Sequence, residues 1–181
     1  MSRIAAPAVD AAPEASRPLL EATRKSLGSV PNLFRVVANS PVALEAYLAF
    51  NGALSKALDA KTRERIAIAI AETNGCDYCL SAHTYLGINL AKITAEDAAL
   101  ARKGSSSDPK AAAAVAFARK VAVARGQVAD ADIAEVKAAG YSDAQIVEIV
   151  SHVALNTLTN FINNVAETEV DFPVVRVGEA A

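Results

Sequence analysis

Helix-start signals recur along this chain, each followed by a segment of helical length and then a breaker. Ser40-Pro41 and Asp108-Pro109 each place an oxygen-bearing cap residue ahead of a proline at the first helical position. Ser142-Asp143-Ala144-Gln145 is a capping box, Thr94-Ala95-Glu96-Asp97 caps a short segment, and Asp130 is the expected cap of another. Gly28, Asn74-Gly75, Gly126 and Gly140 close the segments between them. The expected helices are Pro18–Leu27, a short one opened by Ser29-Val30-Pro31 and running through Val37, Pro41 to about Ala57, Ala60–Thr73, and Cys76–Leu90. Further helices are expected after Thr94, from Pro109 to near Arg125, from Asp130 to before Gly140, and from Ser142 to about Val165 with a break.

The alternation Ile66-Ala67-Ile68-Ala69-Ile70 admits a strand reading. Its charged flanks extend it to helix length, and alanine is a poor strand former, so helix is preferred. No βαβ unit, Gly-rich phosphate loop or Gly-x-Ser-x-Gly elbow is present in the sequence. The expected fold class is all-α, an irregular helical bundle.

At 181 residues the chain suits one domain: a flexible arm over 1–17, a helical domain over 18–175 and a tail over 176–181. The apolar stretch Asp171-Phe172-Pro173-Val174-Val175 is expected to pack on the body or on a neighbouring subunit. A formal net charge of −2, with no dense Lys/Arg cluster, argues against a nucleic-acid partner. The N-terminal stretch lacks the apolar core of a secretory signal, and no run approaches the roughly 18–20 apolar residues of a membrane span. The expected location is the cytoplasm. A mean hydropathy of +0.24 leaves more apolar surface than one small body needs to bury, which points to a homo-oligomer.

Chemistry concentrates in Cys76-Asp77-Tyr78-Cys79-Leu80-Ser81-Ala82-His83. At about 100° per residue, Cys76, Cys79 and His83 fall within roughly 60° of one another on a helix. Asn74-Gly75 puts the cysteines at the start of that helix, where unpaired N–H groups and the helix dipole favour a thiolate. A thiolate attacks peroxide oxygen, and His83 can accept the thiol proton or give one to the leaving alkoxide. The resulting sulfenic acid condenses with a nearby thiol, and Cys76 is placed to be that thiol. An outside dithiol can then reduce the pair. If the two helices flanking Asn74-Gly75 fold back antiparallel, Glu64 comes level with His83 and can orient the imidazole.

The run Arg63-Glu64-Arg65, an apolar stretch, Ala71-Glu72-Thr73-Asn74-Gly75, then Cys76-x-x-Cys79-x-x-x-His83 resembles the alkylhydroperoxidase D-like family of the carboxymuconolactone decarboxylase superfamily. Ser29-Val30-Pro31-Asn32-Leu33-Phe34 and the stretch from Asn156 to Pro173 resemble its longer, peroxidase-related branch, so the likeness covers about residues 28–175. The resemblance implies an all-α fold assembled as a trimer or hexamer and peroxide reduction at the expense of a dithiol, with no metal and no organic cofactor. It implies that Cys79 attacks peroxide, that Cys76 resolves, and that Glu64 and His83 form a proton relay. The best-known members carry a second histidine one residue before the second cysteine, where this chain has Tyr78. Tyrosine donates a hydrogen bond but is a poor base near neutral pH.

Other readings of the same residues stay open. Cys76, Cys79 and His83, joined by Glu64, Asp77 or His152, could ligate zinc, although a structural site wants four ligands. The cysteines could serve a redox sensor without turnover, or the scaffold could host a non-redox enzyme of the carboxymuconolactone decarboxylase type. His152, Asn156 and Asn160 share a face of the last helix. They read first as a polar seam between helices or subunits, and second, for His152, as a substrate-facing group. Tyr78 reads as a wall of the pocket or interface.

Overall fold

The computed structural model describes residues 2–179, which are helical throughout their regular structure, with no strand among the described residues. Two short 3-10 turns, Val9–Ala11 and Glu14–Ser16, precede α1 (Arg17–Leu27), α2 (Asn32–Val37), α3 (Pro41–Leu54), α4 (Ala60–Thr73) and α5 (Asp77–Leu86). A π-helical turn, Gly87–Ala91, leads to α6 (Ala95–Arg102), α7 (Pro109–Val123), α8 (Asp130–Ala138) and α9 (Asp143–Ala166). Among the described residues no helix is long and apolar enough to cross a membrane.

The capping signals act largely as written. Ser40, Asp59, Thr94, Asp108 and Ser142 each accept a backbone N–H of the first turn they precede. Three expectations are corrected. The cap position before α8 is Ala129 rather than Asp130, and the Asp132 carboxylate supplies the bond by accepting the Ala129 N–H at 2.8 Å. The helix expected over Cys76–Leu90 is α5 followed by the π turn, where Gly87 meets Ile93 too closely for a Cβ. The break expected in the last helix is absent: α9 runs unbroken from Asp143 to Ala166, because its polar residues are accommodated by neighbours rather than by bending.

Helix α4 is the axis of the bundle. Ile66, Ile68 and Ile70 are all fully buried, and they face two separate apolar clusters. Ile68 packs with Leu20, Leu33, Phe34, Leu44 and Leu80 on the α1–α3 and α5 side. Ile66 and Ile70 pack with Val115, Phe117, Val136, Ile149 and Val153 on the α7–α9 side. A helix apolar all round belongs in the interior, and this explains the strand-like alternation. Truncating any one of the three isoleucines to Ala would cost about 2–5 kcal/mol.

The charged head of α4 is spent internally. The buried Arg65 donates to Asp97 at 2.5 Å, and the other Asp97 oxygen takes the Ser107 N–H and the Ser106 and Ser107 hydroxyls. These contacts hold the Asp97 carboxyl below the usual range even though burial opposes them.

Both ends of the described residues lie on the body. The arm expected to be flexible buries Ala12 and Ser16, gives the Ala6 and Pro7 carbonyls to Arg35, and joins Ser16 Oγ to the Ala38 carbonyl at 2.7 Å. Backbone carbonyls anchor it together with Ala12 and Val9, which join the α1–α3 cluster. At the other end, Asp77 accepts the Val177 N–H, Glu72 accepts the Gly178 N–H, and Ser81 bonds both the Val175 N–H and its carbonyl. The tail therefore straps α5, the helix that carries the cysteines.

Candidate active site

Gly75 adopts φ +67°, a left-handed conformation suited to glycine, and reverses the chain between α4 and α5. The turn makes Cys76 the N-cap of α5 rather than a member of its first turn, with its Sγ accepting the Cys79 N–H at 3.4 Å. It also packs α5 back along α4, and Glu64 Oε2 meets His83 Nδ1 at 2.8 Å. The turn thus sets Cys76 against Cys79 and brings Glu64 to His83, one helical turn beyond Cys79.

Cys79 is 2% exposed and Cys76 is fully buried; both are free thiols. The Cys79 thiol is lowered well below its ordinary value. The leading cause is a hydrogen bond from the Cys76 thiol, and the charge of His83 and the Asn163 side chain add to it against the opposing effect of burial. Asn163 Nδ2 donates to Cys79 Sγ at 3.1 Å. Asn160 Nδ2 has no partner within hydrogen-bond reach, yet its amide is close enough to favour the thiolate as well. Cys76 moves the opposite way, held protonated by its bond to Cys79 and by burial. The pair therefore reads as one thiolate, Cys79, and one thiol, Cys76. Burial lowers the affinity of His83 for its proton, but the Glu64 carboxylate more than offsets this and leaves His83 raised.

Cys79, His83 and Glu64 border a cavity of about 190 Å³. Its walls include Leu33, Tyr47, Arg63, Glu64, Tyr78, Cys79, Ala82, His83, His152, Leu155 and Asn156; Cys76 is not among them. Tyr47, from α3, keeps its hydroxyl proton because burial and the nearby Cys79 and Glu64 charges raise it. Arg63 spends its guanidinium on the Ala57 and Leu58 carbonyls.

Tyr78 is occupied structurally. Its hydroxyl donates to Asp171 Oδ1 at 2.8 Å and accepts the Leu33 N–H at 3.1 Å, while the second Asp171 oxygen takes the Asn32 N–H at the start of α2. Phe172 stacks edge-on against the Tyr78 ring with centroids 5.9 Å apart. The residue that departs from the familiar histidine thus fastens the tail and α2 beside the site.

The polar face of α9 reaches this site. His152 and Asn156 line the cavity, Asn160 accepts the Asn74 side-chain amide at 2.9 Å, and Asn163 bonds Cys79. Asn163 and Tyr47 lie outside the set read from the sequence as candidate site residues. A signal for Asn163 was present in the polar spacing of α9, but nothing local tied it to a cysteine. Among the described residues no group of three or more His, Cys, Asp or Glu side chains is arranged to hold a metal ion. Glu64 is engaged with His83, and Asp77 with Arg176 and the Val177 N–H.

The Carboxymuconolactone decarboxylase family profile matches residues 41–123, which span α3 to α7 and contain the whole Cys-x-x-Cys-x-x-x-His segment and Glu64. A curated protein of Haemophilus influenzae (strain ATCC 51907 / DSM 11121 / KW20 / Rd), described only as uncharacterized, is 51% identical over 45 residues. That match spans 24% of this chain and 40% of the relative's length. Among solved structures, a peroxidase-related protein with an alkylhydroperoxidase AhpD core from Ralstonia eutropha JMP134 superposes with a TM-score of 0.83 at 26% identity, covering 94% of this chain and 92% of that one. A peroxidase-related protein from Silicibacter sp. TM1040 gives 0.78 at 23% identity, over 93% and 91% of the two chains. The debrominase Bmp8 shares the fold at a TM-score of 0.72 and 18% identity, over 87% of each chain. By these findings residues 41–123 match the carboxymuconolactone decarboxylase family, and the chain as a whole is similar to an AhpD-core, peroxidase-related structure.

Proposed function

We propose that this protein is a thiol-dependent peroxidase that reduces hydrogen peroxide or small organic hydroperoxides. One observation carries the reading. Cys79 borders a cavity as a stabilised thiolate beside the Glu64–His83 pair, while the protonated thiol of Cys76 waits behind it, outside the cavity. A peroxidase of this kind needs one ionised sulfur open to substrate and a second thiol within bonding reach.

The chemistry follows in balanced steps. The Cys79 thiolate attacks the terminal oxygen of the hydroperoxide; an S–O bond forms as the O–O bond breaks. Sulfur loses two electrons and the peroxide gains them. The departing alkoxide or hydroxide takes the proton of His83, which Glu64 keeps charged. The Cys76 thiol then attacks the Cys79 sulfenic acid, releasing water and forming the disulfide. An external dithiol, protein or small molecule, restores both thiols by exchange and leaves as its own disulfide. No bound cofactor enters these steps.

The assembly belongs to the same reading. Val147, Val150, Leu158, Phe161 and Val165 lie exposed along α9 at spacings that make one apolar row. This row supports a homo-oligomer, a trimer or hexamer by analogy with the family, working in the cytoplasm.

The test is turnover of hydrogen peroxide and tert-butyl hydroperoxide by the purified protein with a dithiol reductant, run beside Cys79→Ser. Because the fold also hosts a debrominase, a brominated heteroaromatic is assayed in parallel. Peroxide turnover that disappears in Cys79→Ser supports the reading. Absence of peroxide turnover with free thiols present, or turnover of the bromide alone, contradicts it.

A further inference from the structure

Of the two histidines in the chain, His83 is committed to Glu64. His152 is not part of that pair, yet it lines the same cavity, on α9. It is only 4% exposed, and its Nε2 is buried with no hydrogen-bond partner in the protein. The Leu54 backbone favours a hydrogen on the ring. In the tautomer that carries this hydrogen on Nδ1, Nε2 presents a lone pair.

A buried, unsatisfied nitrogen lowers stability, and such groups persist where something else uses them. The electrostatics agree with a neutral ring: burial, and the Arg63 guanidinium after it, push His152 down to about 4. The other groups that face it are Glu64, whose charge opposes that shift only in part, and the uncharged Asn156, whose amide donates to the His152 carbonyl.

We infer that His152 is a substrate-contacting residue: its Nε2 accepts the O–H of a hydroperoxide and holds the terminal oxygen before the Cys79 sulfur. The inference rests on the peroxidase reading above. The two histidines then divide the labour. Neutral His152 receives the hydrogen of the attacked oxygen without removing it, and charged His83 gives its proton to the departing oxygen. The Cys79 sulfenic acid keeps the original O–H hydrogen, so the proton balance of the proposed cycle is unchanged. In this chain the site where familiar members carry a second histidine is Tyr78, whose hydroxyl is already saturated by Asp171 and the Leu33 N–H. His152 reaches the cavity from another helix and supplies an imidazole there. It also reads chemistry, because only an electrophile bearing O–H can use an acceptor at that point.

The experiment compares two electrophiles on the full chain. Second-order rates of Cys79 modification by hydrogen peroxide and by iodoacetamide, which has no O–H, are measured for wild type, His152→Ala and His152→Gln. The expected result is a loss of about tenfold or more in the peroxide rate of His152→Ala with an unchanged iodoacetamide rate, and partial recovery in His152→Gln, whose carbonyl oxygen can accept. Equal peroxide rates in wild type and His152→Ala would overturn the inference and leave the peroxidase reading standing. Parallel loss with both electrophiles, in the Gln variant as well as the Ala variant, would overturn it in favour of a packing role. A wild-type protein that is alkylated but does not react with peroxide would defeat the peroxidase reading itself, and the inference with it.

Discussion

Asn163→Leu isolates the contribution of the protein matrix to the reactivity of Cys79. The Asn163 amide and the Cys79 sulfur are each 2% exposed and lie 3.1 Å apart, so no water can take over the bond when the amide is removed. A hydrogen bond to a charged acceptor contributes about 1.5–3 kcal/mol, and each 1.4 kcal/mol is a factor of ten. The thiolate population at pH values below the thiol's own titration should therefore fall about ten- to hundredfold. Leucine is close in volume, and the exchange also removes the Asn163 Oδ1, which is buried without a partner. The fold should therefore tolerate the change better than it tolerates loss of a paired group. The sign is fixed by the direction of the shift. In the native protein Cys79 is lowered, so its thiolate survives to lower pH than an ordinary thiol of about 8.5. In Asn163→Leu the acid limb of the alkylation profile moves up in pH, while rates above the ordinary thiol range converge. The assay is the pH dependence of iodoacetamide alkylation, read by the ultraviolet absorbance of the thiolate because the chain has no tryptophan. An acid limb that stays in place would refute the role given to Asn163 and leave the lowering to Cys76, His83 and Asn160.

Other consequences are equally direct. Glu64 raises His83, so Glu64→Gln should bring the alkaline limb of the peroxide-rate profile down in pH without moving the acid limb; stopped-flow oxidation across the pH range would show it. Cys76→Ser should still react with one equivalent of peroxide but leave a Cys79 sulfenic acid that dimedone traps, whereas wild type closes to a disulfide too quickly to be labelled. Arg65→Met strands the buried Asp97 carboxylate and should lower stability by about 3–5 kcal/mol in denaturant titration. Tyr78→Phe removes the donor to Asp171 and the acceptor for the Leu33 N–H. It should speed amide exchange in residues 171–177 while leaving the Cys79 alkylation rate near that of wild type.

The site was legible where chemistry is local. Cys76, Cys79 and His83 sit at fixed spacings after a Gly75 break, and spacing on a helix is geometry. Glu64 was reachable because two antiparallel helices about a tight turn bring similar offsets level, eleven residues before Gly75 and eight after it. Asn163 and Tyr47 were not, since Asn163 comes to the Cys79 sulfur and Tyr47 to the cavity wall from helices distant in sequence, by rotations that local periodicity does not determine. Tyr78 could be read as a departure from a pattern, but its bond to Asp171 spans the domain and is invisible locally. The helices themselves were legible from caps and breakers. The one ambiguous stretch, Ile66–Ile70, is resolved by α4 being buried on two sides. The unbroken course of α9 and the docking of residues 2–16 escaped the sequence reading for related reasons. Asparagines inside a helix look like a break until their partners are known, and an arm held by carbonyls to Arg35 shows no apolar pattern.

The central claim is that Cys79 is oxidised by peroxide and resolved by Cys76 within the same chain. Mass spectrometry of the reduced protein after one equivalent of hydrogen peroxide, with the remaining thiols alkylated, tests it most directly. The account requires an intramolecular Cys76–Cys79 disulfide, its absence in Cys76→Ser in favour of oxygen retained on Cys79, and no oxidation of Cys76 in Cys79→Ser. Both thiols still free after exposure, or oxidation that begins at Cys76 when Cys79 is missing, would contradict it.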